Sequence, residues 1–132
     1  MKRAAAAAIL ALGFAGSAHA TGEILCASAD GEVAVDLLVG RTEALVVLRA
    51  MVTVGGESWS SDPAVVPGTA IALGQGFEGD GMLLVDLLDE PAGAIVARLR
   101  AFTLSDADAY ASGGVFSLKG KGAFVVDCSE RG

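Results

Sequence analysis

The chain has very little of the residue types on which most enzymatic and metal chemistry depends. Its 132 residues include one histidine, His19, and two cysteines, Cys26 and Cys128, which form no Cys-x-x-Cys motif. His19 lies in an N-terminal segment that we expect to be removed, so the mature chain would contain no imidazole. Nucleophilic Ser-His and Cys-His pairs are thereby excluded, and a zinc site has no adequate ligand set. We expect no catalytic residues and no bound metal.

Basic residues are also scarce, because nine Lys and Arg stand against 16 Asp and Glu. Loss of Lys2 and Arg3 with the N-terminal segment leaves seven basic residues against 16 acidic ones, a net charge of −9. Nucleic acids and anionic membrane surfaces are bound through Lys and Arg that neutralise phosphate, so we exclude both as partners. A cationic partner is compatible with this charge, although solubility alone also explains an acidic surface.

The long hydrophobic run that the chain does contain lies at its N-terminus. Lys2 and Arg3 precede an apolar segment at 4–15, and Ala18-His19-Ala20 supplies the small-x-small pattern of a cleavage site. The run is too short for a spanning helix, which needs about 20 residues. We therefore predict a cleavable signal peptide at 1–20 and one mature domain at 21–132. The mature protein would be periplasmic or secreted, without stable membrane insertion.

Two cysteines in a small exported domain predict a structural disulfide between Cys26 and Cys128. A bond that closes a loop of about 100 residues stabilises by roughly 4 to 5 kcal/mol on the chain-entropy model. Since the total stability of such a domain is about 5 to 15 kcal/mol, the bond would matter to the fold.

Most of the chain after the signal alternates between apolar and polar residues with a period near two. Val33, Val35, Leu37 and Val39 share one side of their segment, as expected for a half-buried strand. We expect strands at 23–28, 32–39, 44–54, 57–60, 69–77, 82–89, 94–104, 115–119 and 123–128, with the longest loops at 61–68 and 105–114. This spacing predicts an all-β fold, a small antiparallel β-sandwich or barrel of about eight or nine short strands closed by one disulfide.

The chain also contains an internal repeat. Residues 30–38, Asp-Gly-Glu-Val-Ala-Val-Asp-Leu-Leu, recur as residues 80–88, Asp-Gly-Met-Leu-Leu-Val-Asp-Leu-Leu. Leu-Arg-Ala at 48–50 recurs at 99–101. Two hairpins of similar design could converge on Asp-Gly followed by alternating Val and Leu. We favour a pseudo-twofold duplication, because the whole nine-residue register is shared.

Two motifs could in principle carry chemistry. Residues 74–79, Gly-Gln-Gly-Phe-Glu-Gly, match the dinucleotide-binding pattern, but a strand follows them where a helix is required. We interpret them as a glycine-rich turn or bulge and expect no cofactor. Asp36 and Asp86 occupy equivalent positions of the repeat and could form a carboxylate pair of a weak hydrolase. The interpretation that we prefer places them at the surface or beside Arg49 and Arg100.

Aromatic residues are few, and two of them are candidates for partner binding. Trp59 lies among polar residues, Tyr110 lies in the predicted Ala/Ser/Gly loop, and a shift of 51 residues aligns the two. Large aromatic side chains at polar loop edges often anchor protein or saccharide partners. The alternative is that each ring plugs one end of the β fold.

The stretch Tyr-Ala-Ser-Gly-Gly-Val-Phe-Ser-Leu-Lys-Gly at 110–120, followed by Cys128, resembles the C-terminal region of the c-type lysozyme inhibitors. These are small periplasmic or lipid-anchored β-barrel proteins with a disulfide, in which a Tyr, a short Gly-containing turn, aromatic residues and Lys-Gly follow in that order. The family's Ser-Gly before the Tyr corresponds to Asp106-Ala107 here, and the Trp before Lys-Gly is missing. The resemblance implies that Lys119 engages the active site of a cationic lysozyme.

Together these features predict a non-catalytic binding protein of the periplasm with an unknown protein or saccharide partner. The residues that we expect to contact that partner are Trp59, Tyr110 and Lys119. Lysozyme inhibition and weak hydrolysis by paired carboxylates are the alternatives.

Overall fold

A computed structural model describes residues 20–132 and shows an all-β fold of ten strands. Residues 1–19, which hold most of the predicted signal peptide, lie outside the described part of the chain. The strands are β1 (Ala20–Ala27), β2 (Val33–Arg41), β3 (Leu45–Val54), β4 (Glu57–Ser60), β5 (Thr69–Ala70), β6 (Ala72–Gly79), β7 (Met82–Leu88), β8 (Ile95–Asp106), β9 (Ala109–Leu118) and β10 (Gly122–Arg131). Between residues 20 and 132, no helix is long and apolar enough to cross a membrane.

The strands form one sheet in which most neighbours along the chain are also neighbours in space. Their order across the sheet is β5-β4-β3-β2-β1-β10-β9-β8-β7-β6, and the pairs are antiparallel except β4 with β5. Because β1 pairs with β10, the two ends of the described chain meet in the middle of the sheet. The sheet curls until β6 contacts β3, which produces a nearly closed up-and-down barrel.

Side chains close the seam between β3 and β6. A Cβ placed on Gly76 of β6 would stand 3.3 Å from Val47 and 3.8 Å from Leu45, both on β3. β6 reaches this position after a register shift between Leu73 and Gly76. The shift confirms the glycine-rich bulge expected at 74–79, since an extra residue in one strand bends it toward its neighbour.

The core lies inside the barrel and follows from the alternation of the strands. The inward residues of β2 are buried from Val33 to Val39, whereas the residues between them retain solvent contact. The inward residues of β8 are small or branched, with Ala97 and Leu99 almost fully buried. Such side chains fill the interior of a small barrel without leaving a channel through it.

The repeat corresponds to two five-strand meanders, β1–β5 and β6–β10. The segments at 30–38 and 80–88 lead into β2 and β7, and those at 48–50 and 99–101 lie in β3 and β8. Consecutive strands run in opposite directions except β4, β5 and β6, which all run the same way, so three reversals separate β2 from β7 and β3 from β8. The second meander therefore starts at the opposite end of the barrel from the first, and equivalent residues lie at opposite ends.

The two ends of the barrel differ in the turns that they carry. We call the end with the β2–β3, β6–β7 and β8–β9 turns the mouth. We call the end with the β1–β2, β3–β4, β7–β8 and β9–β10 turns the base.

The predicted loop at 105–114 is wrong, because β8 and β9 continue through it as a hairpin. Their pairing runs from Ala97 with Leu118 to Asp106 with Ala109, and Ala107 forms the tight turn with a φ of 51°. The strand pattern was hidden because Ala, Ser and Gly, which give no contrast in polarity, occupy most of the first half of β9. The loop at 61–68 is confirmed.

The prediction of one strand at 69–77 is also corrected, since the buried Ile71 separates β5 from β6. The barrel consequently has ten strands where eight or nine were expected.

The disulfide between Cys26 and Cys128 is present as predicted. The two cysteines are direct cross-strand partners on β1 and β10, with Cys26 fully buried and Cys128 partly buried. The bond links the first and last strands of the barrel, which are 102 residues apart in sequence. It therefore fastens the junction at which the chain closes on itself.

Candidate binding site at the barrel mouth

The mouth of the barrel contains a cavity of about 340 Å³. Its floor is apolar and consists of Ile24, Leu83, Ala101 and Cys128, which face inward from β1, β7, β8 and β10. Concave apolar sites of this size at the mouth of a barrel are typical places for small ligands. The disulfide thus has a second role, because one of its cysteines forms part of the cavity wall.

Two hydroxyl groups and two carboxylates surround the cavity above this floor. Thr103 of β8 and Ser112 of β9 are cross-strand partners and line one side. Glu78 of β6 and Glu130 of β10 line another side. The site therefore combines an apolar interior with polar groups that could orient a ligand.

Arg41, at the last position of β2, joins the two carboxylates. Its Nε and Nη2 donate to Glu78 at 2.7 and 3.0 Å. Its Nη1 and Nη2 also donate to Glu130, the Nη2 bond measuring 3.1 Å. All three side chains retain solvent contact, with 28%, 38% and 49% of Arg41, Glu78 and Glu130 exposed. We call these three residues the mouth triad.

The mouth triad holds one positive and two negative charges. The hydrogen bonds from Arg41 lower the pKa of Glu78, so this carboxylate stays ionised well below neutral pH. Gly22 of β1 leaves the necessary room, since a Cβ there would stand 3.2 Å from the Glu130 carboxylate and 3.5 Å from the Arg41 guanidinium. The arrangement therefore fixes the orientation of both carboxylates at the mouth.

Tyr110 lies beside this cavity, on the part of the β8–β9 hairpin that extends beyond the rest of the barrel. It shares the inward-facing side of β9 with Ser112, two residues further along, yet it is 75% exposed. Leu104 on the other side of the same hairpin is 78% exposed. The hairpin therefore presents an accessible aromatic ring at the mouth end of the barrel, and partner contact through Tyr110 stays a prediction.

Trp59 lies near the base, at the opposite end of the barrel from Tyr110. It faces inward opposite Val52 and packs against the buried core. The Lys121 ammonium lies 5.8 Å from the ring centroid and is bonded to Glu57 at 2.7 Å. The structure therefore favours the plug interpretation for Trp59.

Lys119 also lies at the base, in the turn that connects β9 and β10. Its side chain is exposed, and its backbone amide donates to the carbonyl of Val96 at 2.8 Å. The predicted contact residues Trp59, Tyr110 and Lys119 are thus not brought together. Lysozyme inhibition through Lys119 stays a prediction, but the stretch corresponding to the family's Gly-containing turn is a continuous strand here.

Asp36 and Asp86 do not share a cleft. They alternate with the inward residues of β2 and β7 and so lie on the outer face, where β3 and β6 separate the two strands by the shorter way round the barrel. Asp86 bonds Arg100 at 2.8 Å, as the preferred interpretation of this residue expected. At Asp36, partial burial and the neighbouring Glu23 carboxylate raise the pKa.

The sequence patterns did not lead us to predict Arg41, Glu78 or Glu130 as site residues. One signal was present, because Arg41 continues the inward series Val35, Leu37 and Val39 at the same spacing. An arginine in that phase indicates either an open barrel end or a buried partner. The glutamates gave no such signal, because Glu78 follows a bulge that changes the phase of β6.

Comparisons with known proteins add no relative to this account. A scan against protein-family models, a search of curated proteins and a search of solved structures each found no match to the chain.

Proposed function

We propose that this protein is a non-catalytic binding protein of the periplasm that holds a small amphipathic molecule in the mouth of its barrel. The observation that carries the proposal is the difference between the two ends. At the base, Trp59 packs on the core beneath Lys121. At the mouth, an apolar cavity of about 340 Å³ lies open below an exposed tyrosine.

The lining of the cavity supports an amphipathic ligand. The floor offers Ile24, Leu83 and Ala101, against which an apolar group gains roughly 0.8 kcal/mol for each buried CH₂. The rim offers the hydroxyls of Thr103 and Ser112 and the two carboxylates of the mouth triad. A polar group of the ligand would stay at this rim while its apolar part lies below.

The predicted export signal and the disulfide support a periplasmic location. Disulfides persist in oxidising compartments and are rare in the cytosol. The bond between Cys26 and Cys128 joins the barrel where the chain begins and ends, so an oxidising compartment would favour the closed form.

The test uses a neutral, apolar fluorophore, N-phenyl-1-naphthylamine, with the purified mature protein. We expect saturable enhancement of its fluorescence at one molecule per chain. Ala101→Leu fills part of the floor, and Ser112→Trp covers the rim without entering the core. Each should weaken the binding by about tenfold, through lost cavity volume or blocked access. Lys119→Ala, at the base, is the matched control and should change nothing.

Two results would contradict the proposal. Fluorescence that does not saturate, or that is the same in wild type and in the folded Ser112→Trp variant, would show that the mouth is not the binding site. Turnover of ester, phosphate or cell-wall substrates by the purified protein would contradict its non-catalytic character.

A further inference from the structure

We propose, resting on the proposed function, that the ligand of the mouth is an organic cation whose apolar tail enters the cavity and whose ammonium group stays among the rim carboxylates. The proposal combines three observations on the same end of the barrel. These are the apolar floor, the excess of acidic side chains around it, and the hydrogen bonding of its arginine by two carboxylates.

Acidic residues surround the mouth on every side. Each of its three turns carries at least one exposed carboxylate: Glu43 between β2 and β3, Asp80 between β6 and β7, and Asp106 and Asp108 between β8 and β9. Both lysines of the described residues 20–132 lie at the base. A cleft that is lined by one sign of charge and has apolar walls concentrates ligands of the opposite charge.

The arginines at this end do not offset that charge. All three guanidinium nitrogens of Arg41 donate to Glu78 or Glu130. With two carboxylates and one guanidinium, the mouth triad has a net charge of −1. Arg131 lies 3.5 Å from Glu23 on the outer side of the barrel. An anionic head group would meet two carboxylates and an arginine with four of its five N–H groups already engaged, so its loss of hydration would be poorly compensated.

A cation, by contrast, adds to the existing network. The Glu130 carboxylate is the most exposed member of the mouth triad at 49%, and each carboxylate oxygen has more than one lone-pair direction. An ammonium group can therefore share Glu130 and Glu78 with Arg41 and restore charge balance at the mouth. The hydroxyls of Thr103 and Ser112 provide further acceptors on the opposite side of the rim.

Two matched amphiphiles test the sign of the charge directly. Octylammonium and octanesulfonate have the same tail and opposite head groups, and both are titrated by calorimetry below their critical micelle concentrations. We expect the ammonium to bind about tenfold more tightly at low salt, and the ratio to shrink as salt screens the rim charges.

Substitution of the triad carboxylates should reverse this preference. Glu78→Gln combined with Glu130→Gln leaves Arg41 as the charged member of the triad, so the sulfonate should then bind more tightly than the ammonium. If that variant does not fold, Asp106→Asn with Asp108→Asn, at the exposed hairpin tip, should still weaken ammonium binding by about threefold at low salt. Glu57→Gln, at the base, is the control and should leave both affinities unchanged.

Each outcome decides something different. Equal or tighter binding of the sulfonate by wild type would overturn the cationic ligand and leave the binding function standing. Absence of binding by either amphiphile would overturn both. An ammonium preference that survives every substitution at the mouth would overturn the placement of the head group.

Discussion

Asp36 and Asp86 show how the same residue in the same repeat can have opposite effects on stability. Asp86 bonds Arg100 at 2.8 Å, whereas Asp36 lies near Glu23, and burial together with that carboxylate raises its pKa above the ordinary 3.8. A raised pKa means that the charged form costs more in the folded chain than in the unfolded one. The folded state therefore loses stability as the pH rises through the pKa of Asp36.

Asp36→Asn should consequently stabilise the protein by about 0.5 kcal/mol at pH 7, a small effect because solvent screens the pair. The gain should disappear as the pH falls below 3.8, where Asp36 becomes protonated in both states. Asp86→Asn should destabilise by a similar amount through loss of the ion pair with Arg100. Urea denaturation between pH 3 and pH 7 measures both, and equal signs for the two variants would contradict this account.

Arg41 is the residue whose replacement should most affect the mouth. Arg41→Gln leaves Glu78 and Glu130 facing each other, and we expect a cost of about 1 kcal/mol at pH 7, because all three side chains keep solvent contact. Since Arg41 lowers the pKa of Glu78, its contribution is present above the ordinary value of 4.5 and is lost as the pH falls through the lowered one.

Denaturation at several pH values measures this effect of Arg41→Gln. Arg98→Gln, an exposed arginine on the outer face of β8, is the matched control. A loss of stability that does not diminish in acid would contradict the ionic role of the mouth triad.

At the scale of the elements, the β8–β9 hairpin is the feature that makes the two ends of the barrel different. Its extension beyond the neighbouring strands carries Tyr110 next to the cavity. The β6–β7 turn supports it, because the Thr103 amide donates to the Gly81 carbonyl at 2.7 Å. Gly81 has a φ of 73°, and a Cβ there would stand 2.3 Å from the Thr103 carbonyl oxygen.

Gly81→Ala should therefore destabilise the protein by about 2 kcal/mol or more, from both the left-handed backbone and the clash with β8. Gly113→Ala is the control in the same region, since no heavy atom lies within 4 Å of its added Cβ. Thermal and urea denaturation of the two variants should separate them clearly. Equal stability would show that the turn and the hairpin move freely past each other.

The alternation of apolar residues was enough to predict most strands, because each strand has one face on the core. Val33 to Val39 in β2 illustrate this, as their contrast with the neighbouring residues is large. The first half of β9 could not be recognised, since both of its faces are solvated and small residues such as Ala111 and Gly113 give no contrast. Solvation of both faces is also what leaves the hairpin free to border a binding site.

The mouth triad could not have been predicted from sequence spacing. Arg41 is 37 residues from Glu78 and 89 residues from Glu130, and the three meet because the barrel brings β6 and β10 to either side of β2. The repeat was recognised from the sequence, but the sequence did not show that it places Trp59 and Tyr110 far apart. Three reversals of chain direction separate β4 from β9, so Trp59 and Tyr110 lie at opposite ends of the barrel and could not form one site.

At the scale of the whole molecule, the barrel depends on two closures, one covalent and one ionic. The disulfide between Cys26 and Cys128 fastens β1 to β10. The mouth triad connects β2 with β6 across the β3–β6 seam and with β10 past β1. Cys26→Ala with Cys128→Ala should lower the free energy of unfolding by about 3 to 5 kcal/mol, as expected for a loop of this length.

Urea denaturation of the double variant, compared with oxidised and reduced wild type, measures the contribution of the disulfide. The variant should keep its β-rich circular dichroism spectrum at low temperature. Unchanged stability would show that the rest of the sheet alone determines the closure.

The central claim is that the protein binds its ligand at the mouth and not at the base. Titration of the ¹⁵N-labelled mature protein with octylammonium, followed by NMR, tests it most directly. We expect the largest shift changes in the amides of Ile24, Leu83, Ala101 and Ser112, with the signals of Trp59 and Lys119 unmoved. Shift changes that centre on Trp59 and Lys119, or none at saturating probe, would contradict the account.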